Sequence, residues 1–178
     1  MNKKRLALLT LSLLLLPPLV IGQNTRFSDP DTVARDQFWG SLYADGGTSF
    51  FCETPFTSKG FTMTEGHVYP PVATRVEMRR RNARYEQLGA GAREDECGNR
   101  ESAQFFEPPA PVKGDVARTV AYMVDTYDLP WVGISTVFKG WNRMDPPDDR
   151  ELTRHRQISE LQGNDNPFVT NPDRMANL

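Results

Sequence analysis

The sequence predicts an α+β fold, in which one mostly helical domain carries a small β element. Three observations favour this fold class. Apolar residues recur at helical spacing through the C-terminal third, short β-prone stretches precede them, and 178 residues suffice for one domain with a buried core. No internal repeat is visible, so the elements below are assigned to a single domain.

The N-terminus has the pattern of a secretory signal peptide. Residues 1–5 are positively charged, residues 6–16 form an apolar run too short to span a membrane comfortably, and Gly22 follows two prolines. We expect residues 1–22 to be the signal and residues 23–178 the mature domain. The alternative is an uncleaved N-terminal anchor. No other apolar run approaches spanning length, so the mature protein is expected to be soluble, periplasmic or secreted, and without stable membrane association.

The charge balance argues against nucleic-acid binding through bulk charge. The predicted signal holds three of the 21 basic residues and no acid, so 18 basic residues face 23 acidic residues in the mature chain. The mature net charge is therefore −5. Any nucleic-acid-binding surface has to be a local basic patch.

The two cysteines, Cys52 and Cys97, most simply form one disulfide in an exported protein. Such a bond closes a loop of about 45 residues and contributes on the order of 3–4 kcal/mol. The alternative is a pair of free buried thiols. A zinc site is disfavoured, because there is no CxxC motif and both histidines lie far from the cysteines in sequence.

The first elements of the mature chain are a predicted helix and two predicted strands. Residues 29–32 have the composition of a helix start, and residues 45–47 that of a helix end. Residues 48–52 and 61–64 are β-prone, and Pro55 breaks the chain between them.

A second helix and a long loop are predicted next. Pro70 and Pro71 disfavour a helix before them and permit one after them, so residues 73–88 are expected to be helical. Glycines and prolines are scattered through residues 89–113, which predicts a loop.

The C-terminal third predicts three helices, each with an apolar stripe. The stripes are Val116, Val120, Met123 and Tyr127; Ile134, Val137, Phe138 and Trp141; and Leu152, Ile158 and Leu161. Residues 145–148 have the composition of a cap for the third helix, and Gly163 ends it. We interpret the stripes as facing the core.

One stretch carries residues suited to phosphodiester chemistry. It contains His67, and Glu77 follows ten residues later. Its arginines are Arg75, Arg79, Arg80, Arg81 and Arg84. A histidine can act as a general base near neutral pH, a carboxylate is a good magnesium ligand, and arginine binds phosphate oxygens.

These residues also have structural interpretations. An isolated histidine in a loop commonly has no catalytic role. Glu77 and Arg81 lie four residues apart and can form a helical ion pair worth about 0.2–0.5 kcal/mol. The arginines can equally form a solvated helix face. Five arginines within ten residues of an acidic protein nonetheless favour phosphate contact.

Three segments of the C-terminal half carry a family resemblance. They are EPP at residues 107–109 with KGDVAR at 113–118, WNR at 141–143 with DPP at 145–147, and LQGN at 161–164 with NPFV at 166–169. In this order and spacing they resemble the C-terminal half of the bacterial endonuclease I family, the secreted or periplasmic nucleases with a His-Me finger (ββα-metal) site. The resemblance extends back to Phe51 and covers nearly all of the mature chain.

The resemblance implies a Mg²⁺-dependent, sequence-nonspecific endonuclease that hydrolyses DNA, with RNA as a further candidate substrate. The family's catalytic histidine lies in a His-Val-x-Pro segment, which His67 matches. The downstream metal-ligand position falls on Glu77, followed by Arg80 and a supporting Asn82. Glu65 is a second candidate ligand, because the acid expected directly before the histidine is a glycine here.

The remaining arginines complete the predicted site. Arg81 joins Arg80 as a catalytic residue at the phosphate, and Arg75, Arg79 and Arg84 are the expected contacts to the nucleic-acid backbone. We expect the protein to act as a monomer.

The chain departs from the family in the spacing of these motifs. His67 and Glu77 are ten residues apart. Family members separate the two positions by several tens of residues, which include an Asp-Leu-His-Asn-Leu segment. The His-Me finger-like site is therefore expected to be incomplete. Two hypotheses follow: an active exported endonuclease, or a catalytically inactive endonuclease I homologue that keeps the scaffold and at most binds nucleic acid.

Overall fold

The computed structural model describes residues 32–58 and 84–178. They form an α+β arrangement, as predicted, in which a two-stranded and a four-stranded sheet precede a packed group of helices. In these two ranges no helix combines the length and the apolar character that crossing a membrane requires. The strand predicted at residues 61–64 lies outside the described residues.

The N-terminal helix α1 (Val33–Leu42) has π-type hydrogen bonding. It ends where the Tyr43 N–H donates to the Phe38 carbonyl oxygen at 2.9 Å. The helix predicted between residues 29–32 and 45–47 is therefore confirmed over its described part. Its aromatic residues pack on Phe56, with 5.6 Å between the ring centroids of Tyr43 and Phe56.

Strand β1 (Gly47–Thr48) pairs antiparallel with β2 (Pro55–Phe56). The strand predicted at residues 48–52 is wrong beyond its first residue, because residues 50–52 form a turn. The Ser49 Oγ accepts the Thr54 N–H at 3.0 Å, which closes this turn locally. Pro55 was expected to break the strands but lies within one, since a two-residue strand at a sheet edge tolerates a missing N–H.

The larger sheet contains β3 (Arg84–Tyr85), β4 (Arg93–Glu94), β5 (Arg100–Glu101) and β6 (Phe105–Glu107). The spatial order is β3-β6-β5-β4. The β3–β6 pair is parallel, and the β6–β5 and β5–β4 pairs are antiparallel.

Two sequence predictions are wrong in this region. The helix expected over residues 73–88 does not extend to Leu88, because the chain is a strand at Arg84 and Tyr85. The Tyr85 N–H donates to the Val132 carbonyl at 2.8 Å and the Leu88 N–H to the Glu107 carboxylate at 2.8 Å, so neither is available for a helix. The loop expected at residues 89–113 contains three strands, which are too short to show an alternating pattern.

Four α-helices follow the sheet: α2 (Lys113–Tyr127), α3 (Ser135–Met144), α4 (Asp149–Gln162) and α5 (Pro167–Thr170). A 3-10 helix (Pro172–Asn177) comes after them. The three predicted C-terminal helices are therefore confirmed. The predicted ends of α4 are also right: the Asp148 carboxylate accepts the Glu151 N–H at 2.7 Å, and Gly163 ends the helix with φ +78°. Such a left-handed conformation favours glycine.

The hydrophobic core lies where α2 packs against α3 and α5. Its fully buried side chains include Val116, Val120, Phe138, Trp141 and Phe168. Most stripe residues therefore face the core or its edge. Ile134 is a correction, because it precedes α3 and is 55% exposed.

The predicted disulfide between Cys52 and Cys97 is confirmed. It links the turn after β1 to the turn between β4 and β5. Next to it, the Phe51 ring meets the Phe106 ring edge-on, with 5.3 Å between centroids. The bond and this contact together hold the N-terminal part of the domain on the four-stranded sheet.

Candidate functional site

Most predicted site residues lie outside the described residues. These are Glu65, His67, Arg75, Glu77, Arg79, Arg80, Arg81 and Asn82. Their roles as general base, metal ligands and phosphate contacts stay predictions. The described residues do include Arg84, the last of the five predicted arginines, and the scaffold that follows it in the chain.

Arg84 opens strand β3, beside Phe105 of β6. Its side chain is exposed, whereas its neighbour Tyr85 is buried against Phe138 and Trp141. Since side chains alternate along strands and paired residues share a face, Arg84 and Phe105 lie on the opposite face from Tyr85. Residues Glu107 and Arg100 fall on the face of Arg84 by the same register.

A buried carboxylate lies next to β3. Glu107 is 1% exposed, and its two oxygens accept hydrogen bonds from four donors. The donors are Gln87 Nε2 at 2.5 Å, Lys113 Nζ at 2.5 Å, the Leu88 N–H at 2.8 Å and Arg100 Nη1 at 2.7 Å. Burial pushes the pKa of Glu107 up, but the hydrogen bonds from Lys113 and Leu88 and the nearby cationic charges hold it below its usual range.

The partners of Glu107 extend the network in two directions. Arg100 also donates to the backbone carbonyls of Leu88 at 2.9 Å and of Gly89 at 2.5 Å. The Gln87 side-chain oxygen accepts the indole N–H of Trp141 at 3.1 Å. Residues 87–89 are therefore tied to the sheet on one side and to helix α3 on the other. We call Gln87, Arg100, Glu107 and Lys113 the Glu107 cluster.

A second polar cluster is buried among the helices. Arg118 on α2 is completely buried and forms a bidentate pair with Glu151 on α4, at 2.9 Å and 2.5 Å. Its guanidinium also donates to the Asn142 side chain at 3.1 Å and to the Asp145 carbonyl at 2.7 Å. One side chain thus joins three helices, and its hydrogen bonds offset the cost of burying the charge.

Asp115 adds a second acid to this cluster. It pairs with Arg118 at 3.3 Å and with Arg154 at 3.1 Å. Burial, together with the charge of Glu151, raises the pKa of Asp115 to about 6, against the lowering effect of the two arginines. We call Asp115, Arg118, Glu151 and Arg154 the Arg118 cluster.

The carboxylates of the Glu107 and Arg118 clusters hold the fold together and are not placed as metal ligands. Glu107 and Glu151 already accept hydrogen bonds from cationic side chains. No group of three histidine, cysteine or acidic residues in the described part of the chain is placed to hold a metal ion. The magnesium ligands proposed from the sequence, Glu65 and Glu77, offer the oxygen donors that magnesium prefers.

Sequence reasoning missed the roles of both clusters. Glu107 and Arg118 were used only as parts of family motifs, although a charged residue within an apolar helical stripe indicates a buried ion pair. Glu151 lies three residues after the Asp148 cap, which suggests a reciprocal capping box. Its side chain instead reaches Arg118 on another helix.

Comparison with known proteins identifies the family. The sequence model of the Endonuclease I family matches residues 51–173. An extracellular ribonuclease of Bacillus subtilis (strain 168) is 31% identical over 158 residues, covering 78% of this chain and 51% of that protein.

Two further relatives agree with this match. A periplasmic deoxyribonuclease of Aeromonas hydrophila is 41% identical over 68 residues, covering 37% of this chain and 29% of that protein. An extracellular ribonuclease of Bacillus amyloliquefaciens is 30% identical over 158 residues, again 78% of this chain and 51% of that protein. The chain thus spans about half the length of the ribonucleases, and less of the deoxyribonuclease. The match over residues 51–173 takes in both buried clusters and most of the chain, which therefore belongs to the endonuclease I family.

Proposed function

We propose that the protein is an exported, Mg²⁺-dependent endonuclease that hydrolyses phosphodiester bonds in DNA and RNA without sequence preference. The observation that supports this most is the family match, because it includes the His67 stretch as well as the scaffold. Relatives named as ribonucleases and as a deoxyribonuclease support both substrates. Their extracellular or periplasmic names support export, and so does the Cys52–Cys97 disulfide, which suits an oxidising compartment.

The proposed chemistry assigns a separate task to each predicted residue. Hydrolysis needs an activated water, charge neutralisation at phosphorus and stabilisation of the leaving oxygen. His67 takes the proton from the attacking water as general base. Arg80 and Arg81 stabilise the negative charge of the phosphate as it is attacked. Asn82 supports this arrangement by hydrogen bonding.

Glu77, with Glu65 as a second carboxylate, would hold the metal ion. Bound Mg²⁺ supplies stabilisation of the charge that develops on the leaving oxygen. Arg75, Arg79 and Arg84 contact neighbouring backbone phosphates, which carry no sequence information and so give binding without base preference.

One observation favours a second candidate, the catalytically inactive homologue. His67 and Glu77 are ten residues apart, a shorter spacing than the resemblance to the family implies. In that case the scaffold and at most nucleic-acid affinity are kept. The two candidates differ in whether the pure protein cleaves nucleic acid with metal.

A nicking assay separates the two candidates. Supercoiled plasmid and a labelled RNA are incubated with pure protein in Mg²⁺ or in EDTA. Wild type is compared with His67→Ala and with His155→Gln, a control at the other histidine, which pairs with Asp165 at 2.5 Å. The proposal expects cleavage by wild type and the control in Mg²⁺ alone, and cleavage slower by about 10²–10⁴-fold in His67→Ala. Binding by wild type without any cleavage supports the inactive homologue.

A further inference from the structure

The Glu107 cluster lies directly beside the strand that follows the predicted arginines. We propose that Glu107 is a positioning residue: its buried carboxylate fixes strand β3, and β3 presents Arg84 to a phosphate of the substrate. This inference rests on the proposed function, since it names how one substrate contact is held in place.

The register of β3 depends on contacts outside the strand itself. The strand contains only Arg84 and Tyr85. A slip of one residue in a strand turns each side chain to the other face of the sheet. Such a slip would turn Arg84 toward the buried face and Tyr85 toward the exposed face. Arg84 would then no longer reach a phosphate, although the strand would remain paired in the sheet.

Within the strand, the hydrogen bond from the Tyr85 N–H to the Val132 carbonyl opposes this slip. Glu107 opposes it further through two residues that follow the strand. It accepts the Leu88 N–H at 2.8 Å and the Gln87 side-chain N–H at 2.5 Å. Arg100, which donates to Glu107 at 2.7 Å, also holds the Leu88 carbonyl at 2.9 Å. Both the N–H and the C=O of Leu88 are therefore bound to this cluster, three residues after Tyr85.

The side chain that the strand presents suits a phosphate. Arg84 is exposed, and the described residues give its guanidinium no acidic partner. Glu107, an acid on the same face of the sheet, is balanced by Lys113 at 2.5 Å and Arg100 at 2.7 Å. A phosphate at Arg84 therefore does not meet an uncompensated carboxylate.

A double-mutant cycle tests this coupling. The variants are Glu107→Gln, Arg84→Ala and the double variant, with Glu94→Gln as the matched control. Glu94 faces the same Arg100, at 3.6 Å, whereas Gln87 and Leu88 donate their hydrogen bonds to Glu107. Binding of each protein to a short DNA duplex and to a single-stranded RNA is measured in EDTA by fluorescence anisotropy over a range of NaCl concentrations.

We expect Arg84→Ala to remove one phosphate contact, which lowers the slope of log K against log[salt] by about 0.9 on duplex DNA. Glu107→Gln is expected to lower the slope by a similar amount, and the double variant by no more than either alone. Glu94→Gln keeps the wild-type slope. Independent, additive effects of the two substitutions overturn the proposal, as does an unchanged slope in Glu107→Gln.

Two controls, the fold of the variant and the binding of wild type, keep the result interpretable. Circular dichroism checks that Glu107→Gln is folded; if it is not, Gln87→Ala takes its place, because Gln87 is exposed and contributes one of the four donors. Wild-type protein that binds neither nucleic acid contradicts the proposed function itself. If wild type binds but the effects of Glu107→Gln and Arg84→Ala on the slope are additive, only the role of Glu107 is contradicted.

Discussion

Replacing Arg118 by methionine tests whether the buried ion pair between α2 and α4 holds the helical scaffold. Methionine keeps much of the volume but removes the guanidinium. The variant loses the bidentate pair with Glu151 and the hydrogen bonds to Asn142 and the Asp145 carbonyl. Asp115 keeps Arg154, but Glu151 loses the cation that it contacts, and it is only 2% exposed.

The expected loss follows from the carboxylate that is left unpaired. Removing one partner of a buried ion pair costs about 3–5 kcal/mol, because the other charge stays buried without compensation. At about 2–4 °C per kcal/mol for a domain of this size, Tm is expected to fall by roughly 6–20 °C. Arg150→Met is the control: Arg150 pairs with Glu53 at the surface, and its loss is expected to cost about 0–1 kcal/mol.

Urea denaturation at neutral pH measures both losses. Arg118→Met/Glu151→Met is expected to regain most of the stability, because apolar replacement of both partners removes the buried charge. A loss below about 1 kcal/mol in Arg118→Met refutes the reasoning.

Three other outcomes follow from the structure. The pKa of Asp115 is raised to about 6 in the folded protein, above its ordinary value, so its charged form opposes folding at neutral pH and this cost is relieved on acidification. The Tm of wild type is therefore expected to rise as the pH falls from about 7 to about 5, and Asp115→Asn is expected to lack the part of this rise that Asp115 contributes. The same dependence of Tm on pH in both proteins contradicts this. A Cβ at Gly114 would lie 1.8 Å from the Asp145 carbonyl oxygen, whereas a Cβ at Gly140 meets nothing within 4 Å. Gly114→Ala is thus expected to lower the free energy of unfolding by about 1–3 kcal/mol and Gly140→Ala to raise it slightly, as measured by urea denaturation, and equal effects argue against the close approach. Reduction of the disulfide is expected to cost about 3–4 kcal/mol in the same assay, and two thiols should react with Ellman's reagent in denaturant only after reduction; thiols that react beforehand contradict the bond.

The helices of the C-terminal third could be predicted from sequence because each carries its own signal. The stripe from Val116 to Tyr127 has helical spacing, and the cap at Asp148 and the stop at Gly163 lie next to the helix that they bound. Such local patterns need no knowledge of distant partners. The disulfide was predictable for a different reason, since the chain offers only one pair of cysteines.

The four-stranded sheet could not be predicted in this way. Its strands are two or three residues long, and the partners of β3 are distant in sequence, such as Val132 for the Tyr85 N–H. The helix expected over Arg84 to Leu88 was wrong for the same reason, because local helix propensity is outweighed by hydrogen bonds to Glu107 and Phe106.

The candidate site was indicated by resemblance more than by physical pattern. Residue spacing alone does not distinguish His67 from an ordinary loop histidine, and Glu77 can pair with Arg81 on a helix. The two buried clusters depend on contacts between residues distant in sequence, 20 residues apart for Gln87 with Glu107 and 33 for Arg118 with Glu151, which periodicity does not reveal. The scaffold is therefore defined by the structure, and the chemistry stays a proposal that rests on the family.

The most direct test of the proposed nuclease function is the single-turnover rate of phosphodiester cleavage in Mg²⁺, compared between wild type and His67→Ala. Loss of a general base is expected to lower the rate by about 10²–10⁴-fold, with nucleic-acid binding in EDTA unchanged. Equal rates in the two proteins, or no Mg²⁺-dependent cleavage by wild type, contradict the assignment of His67 as the base of an active endonuclease.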